Sequence, residues 1–275
     1  MSMNSFHARQ GGRPRQEKPP AAAVDRGGLL RADALLVRAG LAASRAQAQR
    51  LIAAGRVFAG GAPLMKPAQE LPPEAALRVA DNDDEPYVSR GGLKLAGALA
   101  QTGIPAAGKV CLDVGQSTGG FTDCLLQAGA RRVVGVDVGR GQLHARLRGD
   151  ARVAALEGIN CRALSGADLG DALPAGGFDL IVGDVSFISL TLILPQLPPL
   201  LAAGGDLLLL VKPQFEVGPG LVGKGGIVRD PALYAGVEQK LRDCARALKL
   251  TVAAWLDSPI TGGDGNREFF IWLTP

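Results

Sequence analysis

Short apolar runs alternate with helix-spaced apolar residues from position 87 to the C-terminus. The runs lie at 109–114, 132–137, 178–183, 207–211 and 268–272. After the first of them, apolar residues recur at the spacing of one helix face, at Phe121, Cys124, Leu125 and Ala128. Alternation of this kind predicts an α/β domain with a mostly parallel sheet.

The preceding residues follow a different pattern, two short helices and then a hairpin. A helix is predicted from Leu29 to Ala39, and Ser44 with Gln47 forms the capping-box pattern of a second helix that ends at Gly55. Val57-Phe58 and Leu64-Met65 flank Gly60-Gly61, which predicts a hairpin whose glycines supply positive φ. With the acidic stretch at 81–86 as a breaker, we expect a disordered tail at 1–28, a small α+β unit at 29–80, a linker at 81–86 and an α/β domain at 87–275.

Positive charge is concentrated in the N-terminal part of the chain. Residues 1–80 hold 12 Lys and Arg against 5 Asp and Glu, whereas residues 81–275 hold 18 against 21. This asymmetry indicates an anionic partner, although a solvated basic surface has the same signature. The four cysteines have no C-x-x-C spacing, so we expect a reducing, cytoplasmic location and no metal site.

A glycine-rich loop follows the first strand of the α/β domain. Asp113-Val-Gly115 ends that strand, and Asp137 ends the next one, 22 residues beyond Gly115. Such a loop offers backbone N–H groups to a ligand, and an acid about 20 residues later suits the ribose hydroxyls of a nucleoside cofactor. The loop lacks the G-x-G-x-x-G of NAD sites and resembles motif I of the Rossmann-like methyltransferases, which binds S-adenosylmethionine.

We therefore predict an S-adenosylmethionine site formed by Asp113, Gly115, Ser117, Thr118, Gly119, Gly120, Phe121, Asp137 and Asp184. For Asp113, an alternative is a carboxylate that only orders the loop.

The stretch from Arg31 to Val57, with Lys66-Pro67 downstream, resembles an S4 RNA-binding domain through its R-x-D, G-L-x-x-S-R, L-I-x-x-G and K-P spacing. The resemblance implies RNA contact, which we expect above all for Arg45 and Arg56, whereas Arg38 and Arg78 are interpreted as structural. A glycine-rich basic loop at 224–229 is a second candidate for holding RNA, or else a lid. The predicted RNA-binding residues are Arg31, Arg45, Arg50, Arg56, Lys66, Lys224 and Arg229.

Four ionisable residues lie at predicted strand ends or on the opening helix: Lys94, Asp184, Lys212 and Glu268. Ligands of open α/β sheets bind at the carboxyl ends of strands, and Glu268 reaches that edge if its strand is antiparallel. A lysine with a lowered pKa can take the proton of a poor nucleophile such as a ribose hydroxyl, so Lys212 is predicted to be the base. Taken singly, each residue is better interpreted as a surface charge, but four of them at corresponding edges of one sheet make coincidence much less likely.

The quartet is similar to the tetrad of FtsJ-like RNA 2′-O-methyltransferases. Together with the S4-like unit, it makes residues 29–275 resemble the TlyA, or haemolysin A, family; the motifs include Y87-V-S-R-G-G-L-K-L, D184-V-S-F-I-S-L, V211-K-P-Q-F-E and K224-G-G-I-V-R-D. The resemblance implies a Rossmann-like fold with a seven-stranded, mostly parallel sheet. It also implies 2′-O-methylation of cytidine in ribosomal RNA, of the small and sometimes the large subunit, with ribosomal RNA or subunits as partners.

Two other functions remain open at this point: a non-catalytic RNA-binding or ribosome-assembly factor, and a haemolysin-like membrane-active protein. The sequence disfavours the second, because its apolar stretch at 190–201 is broken by Pro195, Pro198 and Pro199 and is shorter than the roughly 20 residues of a span.

Overall fold

The computed structural model describes residues 28–42, 44–53, 56–80, 86–223, 225–262 and 265–275. The chain divides into two compact units, Met1–Asp81 and Asn82–Pro275. Apart from Gly28 and Pro86, the predicted tail and linker lie outside the described residues, as does Gly55, the predicted end of the second helix.

The N-terminal unit is a small α+β domain. Its elements are β1 (Leu30–Arg31), α1 (Ala32–Arg38), α2 (Arg45–Ala53), β2 (Val57–Ala59), β3 (Ala62–Pro63), β4 (Glu70–Leu71) and β5 (Leu77–Val79). Strand β1 pairs with β4, and β2 pairs with both β3 and β5, all antiparallel. Leu36, Ile52 and Val57 form the centre of its core.

The sequence pattern predicted the two helices and the hairpin of this unit, but it did not predict every boundary of these elements. The predicted helix from Leu29 begins only at Ala32, because the backbone of Leu30 and Arg31 pairs with β4, about 40 residues further along the chain. Helix α2 begins as expected, with Gln47 N donating to Ser44 Oγ at 3.2 Å. Gly60 and Gly61 both have positive φ, as the favoured two-residue hairpin turns require.

The C-terminal unit is a seven-stranded, mostly parallel sheet with helices, as predicted. In chain order its elements are α3 (Arg90–Thr102), β6 (Val110–Val114), α4 (Gly120–Gln127), β7 (Arg132–Asp137), α5 (Ala145–Arg148), β8 (Val153–Glu157), α6 (Gly166–Leu169), β9 (Phe178–Gly183), β10 (Leu201–Val211), α7 (Pro231–Ala247), β11 (Thr251–Asp257) and β12 (Phe269–Thr274). The spatial order is β11-β12-β10-β9-β6-β7-β8. Strand β12 runs antiparallel to both β10 and β11, and the other strand pairs of this sheet are parallel.

Apolar layers cover both faces of the central strands. In β10, Leu207, Leu209 and Val211 pack in one cluster, and the alternating Leu208 and Leu210 pack in the other. Burial on both faces explains why the sequence shows continuous apolar runs instead of an alternating pattern.

The apolar stretch that precedes β10 is part of the core. Three short 3₁₀ turns span Leu190–Leu192, Leu194–Gln196 and Pro198–Leu200, and one leucine of each, Leu190, Leu194 and Leu200, belongs to the core cluster of the sheet. Strand β10 begins at Leu201, six residues before the predicted start. Within the described residues no helix is both long and apolar enough to cross a membrane.

Candidate active site

The loop between β6 and α4 is shaped by residues that have no room for a side chain or that adopt positive φ. Gly115 has φ +84°, and a Cβ there would lie 2.9 Å from the carbonyl oxygen of Asp184. Gly119 has φ +95°, and a Cβ there would lie 2.3 Å from Leu147 Cδ1. Even Ser117 adopts positive φ, at 48°. The loop therefore depends on glycine at two positions for steric reasons and not only for flexibility.

Asp137 holds this loop from the end of β7. Its Oδ2 accepts a hydrogen bond from Ser117 N and its Oδ1 accepts one from Gly139 N, both at 2.7 Å. Each carboxylate oxygen can accept a further hydrogen bond, so the carboxylate can order the loop and still bind ligand hydroxyls.

Asp113 lies behind the loop and is fully buried. Thr122 Oγ1 donates to Asp113 Oδ2 at 2.7 Å, and Gln116 Nε2 donates to Thr122 Oγ1 at 2.9 Å. Burial, with a smaller contribution from the charge of Asp184, raises the pKa of Asp113 to about 7 despite the lowering effect of the Thr122 hydrogen bond. These contacts favour the alternative interpretation of Asp113, a carboxyl group that orders the loop from within.

Substitution of Asp113 by asparagine should therefore change how stability depends on pH. The folded chain keeps this proton at pH values where the unfolded chain has lost it, so the contribution of Asp113 to stability is lost as pH rises from about 4 to about 7. The free energy of unfolding of Asp113→Asn minus that of the wild type should therefore rise by about 1–4 kcal/mol between pH 4 and pH 8. Urea unfolding of both proteins across that range tests this, and a difference that stays constant with pH would contradict it.

A cleft opens in front of the glycine loop. It is lined by Ser89, Gly91, Gly115, Gln116, Ser117, Thr118, Gly120, Phe121 and Asp184. Of the predicted cofactor residues, Asp113, Gly119 and Asp137 do not line this cleft. Sequence reasoning missed Ser89, Gly91 and Gln116; the Ser89-Arg-Gly-Gly run next to Lys94 was the available signal. The starts of α3 and α4 approach so closely that a Cβ at Gly120 would lie 2.2 Å from Ser89 Oγ.

The four predicted catalytic side chains form two ion pairs. Lys94 Nζ donates to Glu268 Oε2 at 2.5 Å, and both side chains are more than nine-tenths buried. Lys212 Nζ lies 2.5 Å from Asp184 Oδ1, and the two groups form an ion pair whose angles do not meet those of a hydrogen bond. Lys212 Nζ also donates a hydrogen bond to Ser186 Oγ at 2.7 Å.

Strand pairing explains why these residues share one edge. Val211 is opposite Phe269 in the register of β10 and β12, so Lys212 and Glu268 occupy the next position at the end of that pair. Gly183 is opposite Leu209, which brings Asp184 beside them at the end of β9. Glu268 reaches the carboxyl edge because β12 is antiparallel, as expected.

Buried polar contacts brace the loops that carry this edge. Glu216 accepts hydrogen bonds from Leu190 N (2.7 Å), Ser189 Oγ (2.6 Å) and Lys240 Nζ (2.8 Å), which joins the loops after β9 and β10 to α7. Buried Asn266 accepts from Val228 N at 3.0 Å and donates to Gly226 O at 2.9 Å. The sequence predicted no role for Glu216 or Asn266, because only the tertiary contacts reveal their bracing role.

The predicted RNA-binding residues have different surroundings. Arg31 and Arg45 both contact the buried carboxylate of Asp33, and Arg56 Nη2 donates to Ala80 O at 3.0 Å. Arg50, Lys66 and Arg229 are exposed, and Lys224 lies outside the described residues.

The two arginines interpreted as structural make contacts within the N-terminal unit. Arg38 Nη2 donates to Pro73 O at 2.6 Å, and Arg78 lies over the Phe58 ring, 4.8 Å from its centroid.

Comparisons with known proteins agree with this architecture. The model of the FtsJ-like methyltransferases matches residues 87–274, and that of the S4 domain matches residues 30–77. The 16S/23S rRNA (cytidine-2′-O)-methyltransferase TlyA of Mycobacterium tuberculosis is 47% identical over 88% of this chain and 89% of its own length. YqxC of Bacillus subtilis, described as a candidate rRNA methyltransferase, is 46% identical over 88% of this chain and 85% of its own length.

A solved structure from Streptococcus thermophilus, described as a candidate hemolysin, has a TM-score of 0.69 and 40% identity, covering 90% of this chain and 88% of the other. The glycine-lined cleft, the strand-end acid Asp137 and the open start of α4 fit the family's cofactor, S-adenosylmethionine. The chain therefore belongs to the FtsJ-like methyltransferases, as a TlyA-type member with an N-terminal S4 domain.

Proposed function

We propose that this methyltransferase transfers a methyl group from S-adenosylmethionine to the ribose 2′-oxygen of cytidine in ribosomal RNA, in the cytoplasm. The observation that carries the proposal is the set of two ion pairs, Lys212–Asp184 and Lys94–Glu268, at the sheet edge where Asp184 also lines the cofactor cleft. The names of the TlyA relatives support the RNA and the nucleotide. Residues 29–80 are the proposed RNA-binding domain, and residues 87–275 the proposed catalytic domain.

Lys212 is the proposed base. When bound, S-adenosylmethionine would supply an electrophilic methyl group whose leaving group is a neutral thioether. Lys212 Nζ has to lose its proton to solvent first, and the neutral amine then takes the proton of the 2′-hydroxyl as the hydroxyl oxygen attacks the methyl carbon. Glu268 is committed to Lys94, so Asp184 is the carboxylate that faces Lys212 and orients it. Ser186 Oγ accepts a hydrogen bond from the same nitrogen and positions it from a second direction.

Asp137 and the loop residues are the proposed cofactor contacts. Gly115, Ser117, Thr118, Gly120 and Phe121 line the cleft, and Asp137 holds the loop from behind and can accept from ribose hydroxyls. Gly119 and Asp113 act indirectly, through the loop conformation and through Thr122.

Tritium transfer from labelled S-adenosylmethionine tests the reaction. Purified protein is incubated with free 16S rRNA, free 23S rRNA and the two ribosomal subunits, and the labelled nucleoside is identified after digestion. We expect label in 2′-O-methylcytidine. Absence of label on all four substrates would favour a non-catalytic RNA-binding factor, and label on a base would overturn the assignment to the ribose.

A further inference from the structure

Among the described residues of the N-terminal unit, one carboxylate is fully buried, that of Asp33 on α1. Burial of a charge in a small apolar core is unfavourable unless the charge is paired and hydrogen-bonded. Asp33 accepts hydrogen bonds from Arg31 Nε and Nη2 (3.1 and 3.0 Å), Arg45 Nη2 (3.0 Å) and Gln49 Nε2 (2.8 Å). Although burial alone raises the pKa of a carboxyl group, these contacts hold the pKa of Asp33 well below its usual range. Asp33 is therefore an anion at neutral pH.

The two arginines reach Asp33 from separate elements, yet both remain at the surface. Arg31 ends β1 and Arg45 begins α2, and their side chains are 45% and 57% exposed. A guanidinium has five N–H donors, of which Asp33 engages two in Arg31 and one in Arg45. Asp33 thus holds the guanidinium groups of Arg31 and Arg45 through some of their N–H groups and leaves the remaining N–H groups on the solvent side.

Backbone hydrogen bonds place the turn that follows a third cation, Lys66, next to the start of α1. Ala32 N donates to Gln69 O at 2.8 Å and Asp33 N donates to Pro67 O at 3.1 Å, so the turn that follows Lys66 is docked on the start of α1. Lys66 itself is exposed. Fixed guanidinium planes with an added point charge match the oxygen geometry of phosphate esters.

We propose that Asp33 is a positioning residue that holds Arg31 and Arg45 in the orientation in which they grip the RNA phosphate backbone. The inference rests on the proposed function in one respect, namely that RNA is the partner of the N-terminal unit. An acid beneath a cationic surface weakens the long-range attraction for RNA, so its benefit has to come from the orientation of the arginines, which lose less rotamer entropy on binding.

Net charge and arginine orientation predict opposite effects of replacing Asp33 on the affinity for RNA. Asp33→Asn removes a negative charge, so charge alone predicts tighter binding, whereas loss of orientation predicts weaker binding. Glu74→Gln is the matched control, because Glu74 is exposed in the same unit and its replacement raises the net charge by the same amount. Binding of the full-length proteins to deproteinised 16S rRNA is measured at one fixed salt concentration.

We expect Asp33→Asn to weaken RNA binding about tenfold, and Glu74→Gln to leave it unchanged or slightly tighter. The effect of Asp33→Asn should vanish when Arg31 and Arg45 are both alanine, since Asp33 acts through them. Equal behaviour of Asp33→Asn and Glu74→Gln, or tighter binding by Asp33→Asn, would overturn the proposal.

Circular dichroism shows whether Asp33→Asn keeps the N-terminal unit folded. If it does not, Arg45→Lys provides a second test. It keeps the charge at a half-exposed position but removes the planar fork, so several-fold weaker RNA binding is expected, and wild-type affinity would refute the proposal. Methyl transfer by the wild type separates the two ideas. If Asp33→Asn binds RNA more weakly but the wild type transfers no methyl group, only the proposed function is contradicted. If the wild type transfers the methyl group but Asp33→Asn binds RNA with unaltered affinity, only the role proposed for Asp33 is contradicted.

Discussion

Lys212→Ala is expected to lower the rate of methyl transfer by about 10²–10⁴-fold, the usual contribution of a positioned general base. The dissociation constant of S-adenosylmethionine should change by no more than a few-fold, because Lys212 contacts Asp184 and Ser186 and does not line the cofactor cleft. Single-turnover rates with rRNA and equilibrium dialysis with the cofactor measure the two quantities separately.

Two further variants make this prediction specific. Lys212→Arg keeps a cation beside Asp184 but cannot be deprotonated, so it should be as inactive as Lys212→Ala. Lys109→Ala removes a lysine that pairs with Asp206 at 3.0 Å and precedes β6, at the opposite end of the strands, and should retain activity. Substantial activity in Lys212→Arg would mean that this position supplies charge and does not act as the base.

Asp137→Ala is expected to weaken S-adenosylmethionine binding by about 10–100-fold, which corresponds to the loss of one or two charge-assisted hydrogen bonds. The variant also loses the hydrogen bonds to Ser117 N and Gly139 N that hold the loop. At saturating cofactor the turnover rate should approach that of the wild type, the reverse of the pattern expected for Lys212→Ala.

Glu157→Ala is the matched control for Asp137→Ala. Glu157 ends the neighbouring strand β8, and its Oε1 accepts from Gly141 N at 2.8 Å, so it also braces a loop at this edge. We expect only a minor change in cofactor affinity for Glu157→Ala. An equal loss in both variants would indicate that Asp137 acts through loop order and has no direct contact with the cofactor.

The sequence by itself determined the architecture of the catalytic unit. Strands β6, β7, β9 and β10 are buried on both faces, so their apolar runs are visible without any knowledge of partners. The acids and the lysine at or just after their ends are Asp113, Asp137, Asp184 and Lys212. The glycines of the loop were equally visible, because positive φ and lack of space restrict those positions to glycine. Three of the four predicted catalytic residues were found from their positions at strand ends and Lys94 from the opening helix, and the family resemblance then grouped them.

Only the tertiary structure decided which charges pair and which way a carboxylate points. Lys94 and Glu268 are 174 residues apart, and their contact depends on α3 and the antiparallel strand β12 sharing one apolar cluster. Asp113 turns away from the cleft towards Thr122, although its position at the end of β6 suggested a ligand contact. Side-chain direction and non-local partners are set by packing, which a linear pattern does not encode.

The N-terminal unit shows the same division on a smaller scale. Sequence spacing located Arg31 and Arg45 and their positive charge, but it could not show that both guanidiniums converge on one buried carboxylate, Asp33. That convergence requires β1, α1 and α2 to fold together, since hydrogen-bond geometry depends on distances of a few tenths of an ångström. The sequence therefore indicated an anionic partner, and the tertiary structure decided how the two arginines are arranged around Asp33.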